Sequence, residues 1–255
     1  MKKKVFKELL PMLLFVIPIA IIGGYFTGRY TLEHTTGDFL KLIMEQIPNQ
    51  NAFYVITALQ SLLYAVIATV IGYFMANRIG LVKPFKLEKR NLIKTVPIIV
   101  VLGIAFTCDY FVFGNIIPEV AADYQKGISI SYFLSALTYG GVIEEILLRW
   151  FFMTLIAWVL VMIFAKRAEK ENIPVWIYVI ANVIAALVFA AGHLPATQLF
   201  FGRITPLILF RCFLLNGAFA IMFGRFYRKY GIHYAMLGHF GLHLISKSIL
   251  MLVIR

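Results

Sequence analysis

Seven apolar stretches alternate with short polar connectors along this chain. They cover approximately residues 9–27, 53–76, 95–114, 128–165, 175–192, 204–224 and 232–254. A helix of about 20 residues spans a bilayer core of roughly 30 Å, and the two-residue alternation typical of a membrane β-barrel is absent. The pattern predicts an all-α, polytopic transmembrane bundle. We expect one membrane-embedded domain over residues 1–255, without a repeat or a soluble domain.

The fourth stretch, 128–165, is too long for one perpendicular crossing. Its 38 residues would form a helix of roughly 57 Å. The stretch must therefore be broken, strongly tilted or partly interfacial. The adjacent Gly140 and Gly141 are the natural place for a bend, so the sequence predicts seven or eight helices.

Composition agrees with a membrane protein, because 61% of the residues are hydrophobic and 14% are charged, against about 45–50% and 25% in soluble domains. The net charge of +12 comes from basic residues at the N-terminus and in connectors 77–94, 166–173 and 225–231. Connectors 28–52 and 115–127 are slightly acidic. The positive-inside rule predicts a multi-pass protein of the cell membrane with a cytoplasmic N-terminus. The basic residues are expected to contact lipid headgroups rather than nucleic acid.

The N-terminal segment, with lysines at positions 2–4 before an apolar run, is similar to a signal peptide. No A-x-A-like site follows it, so we expect it to be the first transmembrane helix. Cys108 and Cys212 both lie in apolar stretches, and neither a disulfide framework nor a CxxC metal site is predicted.

Ionisable residues inside apolar stretches cost on the order of 2.5–3.5 kcal/mol each, so each needs a partner or a function. On a helix, Glu145 and Arg149 are four residues apart and lie on one face, whereas Glu144 is turned about 100° away. We expect Glu145 and Arg149 to neutralise each other, which leaves Glu144 as a free carboxylate suited to general-base chemistry near a histidine. The alternative is an ion pair that only fixes helix packing.

Three histidines also lie in the apolar part. His193 ends one apolar stretch, while His239 and His243 are four residues apart on one helix face and can direct nitrogens into one cavity. Residue counting places His193 and His239 at different depths, so a shared polar cavity requires a bend, a re-entrant segment or a shifted span. The remaining intramembrane charges are expected to be paired, to snorkel or to line the cavity: Asp109, Arg211 and Lys247.

Three motifs in the order Glu-Glu-x-x-x-Arg, Phe-x-x-x-His and His-x-x-x-polar resemble those of the CPBP (Abi) family of intramembrane proteases. That family includes the CAAX prenyl endopeptidases of the Rce1 type and bacteriocin-processing and self-immunity proteins. The motifs begin at Glu144, Phe189 and His239, and the resemblance covers roughly residues 130–250. We therefore divide the chain into N-terminal transmembrane helices, 1–127, and a CPBP-like catalytic core, 128–254.

The resemblance implies a role for each motif residue. Glu144 with His193 would activate the attacking water, and His239 with His243 would form the oxyanion hole. Glu145 and Arg149 would stabilise the site.

One position departs from the family pattern, which usually has Asn or Asp where this chain has His243. A neutral imidazole still donates one N–H, so the change alters the proposed role without removing it. No cofactor is expected. As an alternative, Glu144, His193, His239 and His243 together offer enough ligands for Zn²⁺, although no His-Glu-x-x-His run supports a metal.

The sequence thus predicts a glutamic-type intramembrane endopeptidase that cleaves a membrane-associated peptide or protein at or near the cytoplasmic face. A prenylated protein and a peptide precursor are both open as substrates. The alternative is a non-proteolytic membrane scaffold or bacteriocin self-immunity protein that keeps the fold. A third hypothesis, a small transporter, has less support, because the sequence shows neither repeats nor paired broken helices.

Overall fold

The computed structural model describes residues 2–35 and 38–254. The side chains of the lysines at positions 2–4, on which the predicted cytoplasmic N-terminus partly rests, are not among the described ones.

Nine helices make up the described part of the chain, which contains no strand. Seven of them are long and apolar enough to cross a membrane, which confirms the predicted all-α transmembrane bundle. The two others, α2 and α5, lie in the polar connectors and were not predicted. The helices are α1 (Lys2–His34), α2 (Asp38–Gln46), α3 (Gln50–Arg78), α4 (Lys89–Ile116), α5 (Pro118–Gln125), α6 (Ile130–Phe164), α7 (Val175–Phe201), α8 (Pro206–Tyr230) and α9 (Ile232–Val253).

Consecutive long helices run in opposite directions. In the α1/α3 pair, the hydroxyl of Tyr73 near the end of α3 donates to Glu8 near the start of α1 at 2.6 Å. Tyr25 near the end of α1 meets Tyr54 near the start of α3, with ring centroids 5.5 Å apart. The two helices are therefore antiparallel.

The basic connectors meet at one end of the bundle, here called the basic end and formed by residues 79–88, 165–174 and 231. The Tyr178 hydroxyl donates to the carbonyl of Ile79 at 2.6 Å. Nε2 of His233 lies 3.0 Å from the carbonyl of Lys86. These contacts join α7 and α9 to the α3–α4 connector.

The opposite end, here called the acidic end, is formed by residues 38–49, 117–129 and 202–205. Ser129 and Ser131 donate to the carboxylate of Glu33 at 2.7 and 2.8 Å. Arg203 pairs with Glu119 across two connectors. The end of α1 therefore meets the start of α6 on this side, and α5 meets the connector that follows α7.

Helix α6 is not broken at Gly140 and Gly141, the predicted place of a bend. Residues 136–144 and 146–153 form wide π-helical turns, in which each N–H bonds five residues back and the helix is not interrupted. The glycine at 141 instead permits close contact with α9, because a Cβ there would lie 2.8 Å from Cα of Phe240. The widened helix and the glycine contact bring α6 against α9.

Helix α7 is interrupted at His193, which has φ −84° and ψ −11°. Pro195 has no N–H to donate to the carbonyl of Ala191, so the helical hydrogen bonding fails here. The chain then resumes as a helix to Phe201, nine residues beyond the predicted end of this span at residue 192.

A single residue, Gly231, joins α8 to α9. Its φ of 110° and ψ of 167° belong to a region that only glycine adopts readily. A Cβ there would also lie 2.8 Å from Cε1 of His233. The α8/α9 hairpin is therefore tightly closed at the basic end.

Candidate functional site

A cavity of about 590 Å³ lies between α6, α7, α8 and α9, with α1, α4 and α5 contributing to its walls. Its size is within the usual range of ligand pockets, about 300–1,000 Å³. Four of the six predicted site residues line the inner end of the cavity, here called its floor: Glu144, His193, His239 and His243. A fifth, Glu145, contacts His239 from behind the floor. The sixth, Arg149, is buried behind Glu145.

The carboxylate of Glu144 lies between two histidines from two other helices. Its Oε1 is 4.0 Å from Nε2 of His193, and its Oε2 is 4.0 Å from Nε2 of His239. The side chain is 19% exposed, so the carboxylate is accessible from the cavity. Residue counting placed His193 and His239 at different depths in the membrane. The Glu144 side chain reaches both histidines, because one of its oxygens faces α7 and the other faces α9.

The interruption of α7 orients the ring of His193. Its Nδ1 lies 2.8 Å from the carbonyl oxygen of Phe189. A carbonyl oxygen only accepts hydrogen bonds, so Nδ1 carries the proton and donates it. In the neutral ring, Nε2 therefore presents a lone pair towards Glu144 and the cavity.

Glu145 and Arg149 form a buried ion pair behind the cavity floor. Their side chains are 0% and 1% exposed, and Nη1 of Arg149 lies 3.1 Å from Oε1 of Glu145. The guanidinium also lies over the ring of Phe189, 4.7 Å from its centroid. Neither Nη1 nor Nη2 makes a hydrogen bond within the described part of the chain. The attraction between the opposite charges is thus the main polar interaction that offsets the cost of removing the Arg149 guanidinium from water.

His239 is fixed by two contacts. Its Nδ1 donates to Oε1 of Glu145 at 2.8 Å, and its ring stacks on Phe223 with centroids 4.7 Å apart and planes 17° apart. The stacking and the hydrogen bond together set the ring orientation, so Nε2 faces the cavity. Sequence reasoning missed Phe223, because an aromatic residue in an apolar span gives no signal that separates a site residue from a core residue.

The two histidines on α9 share a hydrogen bond. Nε2 of His239 and Nε2 of His243 are 3.1 Å apart. When the His239 ring is neutral, its only proton is on Nδ1, so its Nε2 accepts from the N–H of His243. The buried Nδ1 of His243 then has no hydrogen-bond partner among the described residues. Arg149, Glu145, His239 and His243 therefore form one continuous chain of polar contacts.

The other intramembrane charges have partners. Nε and Nη2 of Arg211 donate to the two oxygens of Asp109 at 2.6 and 2.5 Å, and the Tyr124 hydroxyl donates to the same carboxylate at 2.9 Å. The buried Lys247 donates to the Tyr132 hydroxyl at 2.5 Å. The first group joins α4, α5 and α8, and the second joins α6 to α9, beside the part of the cavity next to the acidic end, here called the upper cavity. Tyr124 and Tyr132 were not anticipated as their partners.

The zinc site that the sequence left open, at Glu144, His193, His239 and His243, stays a prediction. The structure describes no group of three or more His, Cys, Asp or Glu side chains placed to hold a metal ion. Nε2 of His239 and Nε2 of His243 lie 3.1 Å apart and are directed at each other. These two nitrogens are therefore engaged in their mutual hydrogen bond.

Comparison with known proteins finds a similarity to one family. Residues 126–245 match the family model described as Type II CAAX prenyl endopeptidase Rce1-like. Comparison of the chain with curated proteins and with solved structures gave no match. The matched segment contains all three motifs and the whole floor of the cavity. Residues 126–245 of this multi-pass membrane chain are therefore similar to the Rce1-like proteases.

Proposed function

We propose that the chain is a membrane-embedded endopeptidase of the CAAX-protease type that hydrolyses a peptide bond with water activated by Glu144 and His193. The observation that carries this proposal is the position of the Glu144 carboxylate, 4.0 Å from an imidazole nitrogen on each side, at the floor of a cavity. The substrate is a membrane-associated peptide or protein, and both a prenylated protein and a peptide precursor fit the family.

The geometry supports activation of water between Glu144 and His193. A separation of 4.0 Å is too long for a direct hydrogen bond and suits one water that bonds to both groups. Glu144 takes a proton as the water oxygen attacks the carbonyl carbon. As the C–N bond breaks, a proton passes to the leaving amine. The products are a carboxylate and an amine, and Glu144 returns to its starting state.

The histidine pair on α9 supplies the N–H for the developing oxyanion. In the structure this N–H bridges His239 and His243, and it must turn from the partner ring to the substrate oxygen. Such a donor contributes about 2.7–4 kcal/mol to transition-state stabilisation in other hydrolases. Glu145 fixes the proton on Nδ1 of His239 and is a positioning residue, as is Arg149 behind it.

Cells that express the wild-type chain, Glu144→Gln or His193→Ala provide the test, with labelling and sequencing of new protein N-termini. This readout detects cleavage of any cellular polypeptide, whatever its sequence. We expect the wild type to produce a set of new N-termini whose abundance falls at least 100-fold in both variants. Loss of a general acid–base group costs about 10²–10⁴-fold in rate, and 100-fold is the lower limit of that range. Glu171→Gln is the control, because it changes an exposed carboxylate outside the cavity and should preserve the set. Unchanged N-termini in Glu144→Gln would refute the proposal.

The second candidate is a non-proteolytic membrane scaffold or self-immunity protein with the same fold. The observation that favours it is the His239–His243 hydrogen bond, which uses the N–H that an oxyanion would need. This function predicts that a protective phenotype against a bacteriocin persists in Glu144→Gln and in His193→Ala. Loss of protection in both variants would exclude it.

A further inference from the structure

Positive charge is strongly divided between the two ends of the bundle. Residues 2–7, 78–94, 166–170 and 225–229 carry sixteen of the 24 lysines and arginines, and the helix directions assign all of these segments to the basic end. Residues 28–49, 117–129 and 202–205, at or near the acidic end, carry four, together with five acidic residues. Lysine and arginine are enriched in cytoplasmic loops, so this difference orients the bundle in the membrane.

The cavity walls come from the part of the bundle next to the acidic end. Tyr30 lies four residues before the end of α1, and Tyr132 is the third residue of α6. Phe201 is the last residue of α7, and Asp123 belongs to α5. None of the described residues that line the cavity comes from the connectors of the basic end. The cavity therefore extends from the site residues to the acidic end.

Towards the basic end, the floor is closed by packed side chains. Ile146, Trp150, Met153 and Tyr227 are each at most 3% exposed and belong to the main hydrophobic core. The indole N–H of Trp150 donates to the carbonyl of Thr69 at 3.0 Å. Because this layer lies directly behind Glu145, a substrate that enters from the basic end would have to displace the core.

We propose that the cavity opens to the non-cytoplasmic side of the membrane and that its substrate is an extracytoplasmic segment of an exported or membrane-anchored polypeptide. This inference rests on the proposed endopeptidase function and names its substrate class. It differs from the sequence-based expectation of a site near the cytoplasmic face. The reason is that the positive-inside rule orients the helices, but only the structure shows in which half of the bundle the cavity lies.

The walls of the upper cavity indicate what kind of segment is bound. Tyr30 stacks on Tyr132 with centroids 4.5 Å apart, and Phe200 contacts the edge of this pair. Two charged side chains of these walls, Asp109 and Arg211, neutralise each other. An aromatic wall with paired charges favours an apolar segment, such as the residues next to a membrane anchor.

Thiol labelling tests the orientation without any substrate. In a background with Cys108→Ala and Cys212→Ala, Ala196→Cys places a thiol on the exposed cavity wall, and Arg167→Cys places one at the basic end. A membrane-impermeant maleimide should label the first variant in intact cells, and the second only after the cells are opened. The reverse pattern would overturn the inference.

Limited trypsin digestion of the wild-type chain provides a second measurement that needs no substitution. Residues 83–94 and 166–170, at the basic end, contain exposed lysines and arginines. We expect cleavage there in inside-out vesicles and protection in intact spheroplasts. Cleavage in intact spheroplasts would overturn the orientation.

The Glu144-dependent N-termini then test the substrate class. We expect them to map to segments on the non-cytoplasmic side, within or next to a membrane anchor. Termini in cytoplasmic segments would overturn the substrate class. A complete lack of Glu144-dependent termini would refute the proteolytic function instead, while the labelling pattern would still decide the orientation. The two failures are therefore distinguishable.

Discussion

Neutralising Glu145 should destabilise the protein far more than neutralising its neighbour Glu144. The substitution Glu145→Gln keeps the shape of the side chain and removes the charge that faces Arg149. That arginine is 1% exposed, so water cannot replace the lost partner. Glu144 is 19% exposed and lies 4.0 Å from its nearest charged or titratable partners, and the same change there removes no direct contact.

The magnitude follows from the geometry of the pair. At 3.1 Å and an effective dielectric constant of about 20, the attraction between the two charges is about 5 kcal/mol. Breaking a buried ion pair by removing one partner costs about 3–5 kcal/mol in other proteins. With about 2–4 °C per kcal/mol for a protein of this size, Glu145→Gln should lower the Tm by about 6–20 °C.

Thermal unfolding in detergent, followed by tryptophan fluorescence, measures this difference. Glu144→Gln is the matched control and should unfold within about 2 °C of the wild type, since a surface-accessible change is worth at most about 0.5 kcal/mol. The double variant Glu145→Leu with Arg149→Met replaces the ion pair by apolar side chains and should recover most of the stability. It should remain inactive, because His239 loses the acceptor of its Nδ1 proton.

Two results would refute this reasoning. If Glu145→Gln unfolds at the wild-type temperature, the charge of Arg149 is compensated by something other than Glu145. If Glu144→Gln is destabilised as strongly as Glu145→Gln, the division between a free and a paired carboxylate is wrong.

Three further predictions concern the site and its scaffold. His243→Asn should retain cleavage within about tenfold of the wild type, because an amide also donates an N–H, whereas His243→Leu should lose about 10²–10³-fold on the same substrate; equal rates would exclude a donor role. Gly141→Ala should cost about 1–3 kcal/mol, or about 2–12 °C in Tm, because α9 must move away. Gly192→Ala is its control, because among the described residues no heavy atom outside the local backbone of its own helix lies within 4 Å of the added Cβ, and equal Tm values would contradict the close helix contact. Treatment with a metal chelator should leave the cleavage rate unchanged. Stoichiometric zinc that co-purifies with the activity would show instead that cleavage depends on a metal ion.

Hydropathy was sufficient to predict the seven spans and the fold class, because lipid exposure requires long apolar helices whatever their packing. Hydropathy predicted the ends of the helices less well than their number. Helix α7 continues to Phe201 after the interruption at His193, since a helix can restart after a proline when its next N–H groups find carbonyl acceptors. The short helices α2 and α5 escaped prediction because they lie at an end of the bundle, where polar and apolar residues mix.

The local geometry of the Glu-Glu-x-x-x-Arg motif could be predicted, since residues four apart share a helix face. The tertiary relations could not. Gly140 and Gly141 indicated a place where α6 bends or approaches a neighbouring helix closely, and Gly141 lies in close packing against Phe240. No pattern within one span shows which neighbour a glycine will face. Likewise, the meeting of His193 and His239 at one carboxylate depends on how α7 lies across α9.

The one-residue connection at Gly231 has a consequence for how a substrate is admitted. A hairpin closed by so short a link cannot slide or splay at that end without breaking the contacts around Gly231. Relative motion of α8 and α9 therefore pivots near Gly231, and its amplitude grows towards the connector 202–205, where Arg203 pairs with Glu119 of α5. Amide hydrogen exchange should then be slowest around residues 226–236 and fastest around residues 118–127 and 202–205, and substrate binding should slow exchange mainly in these two segments.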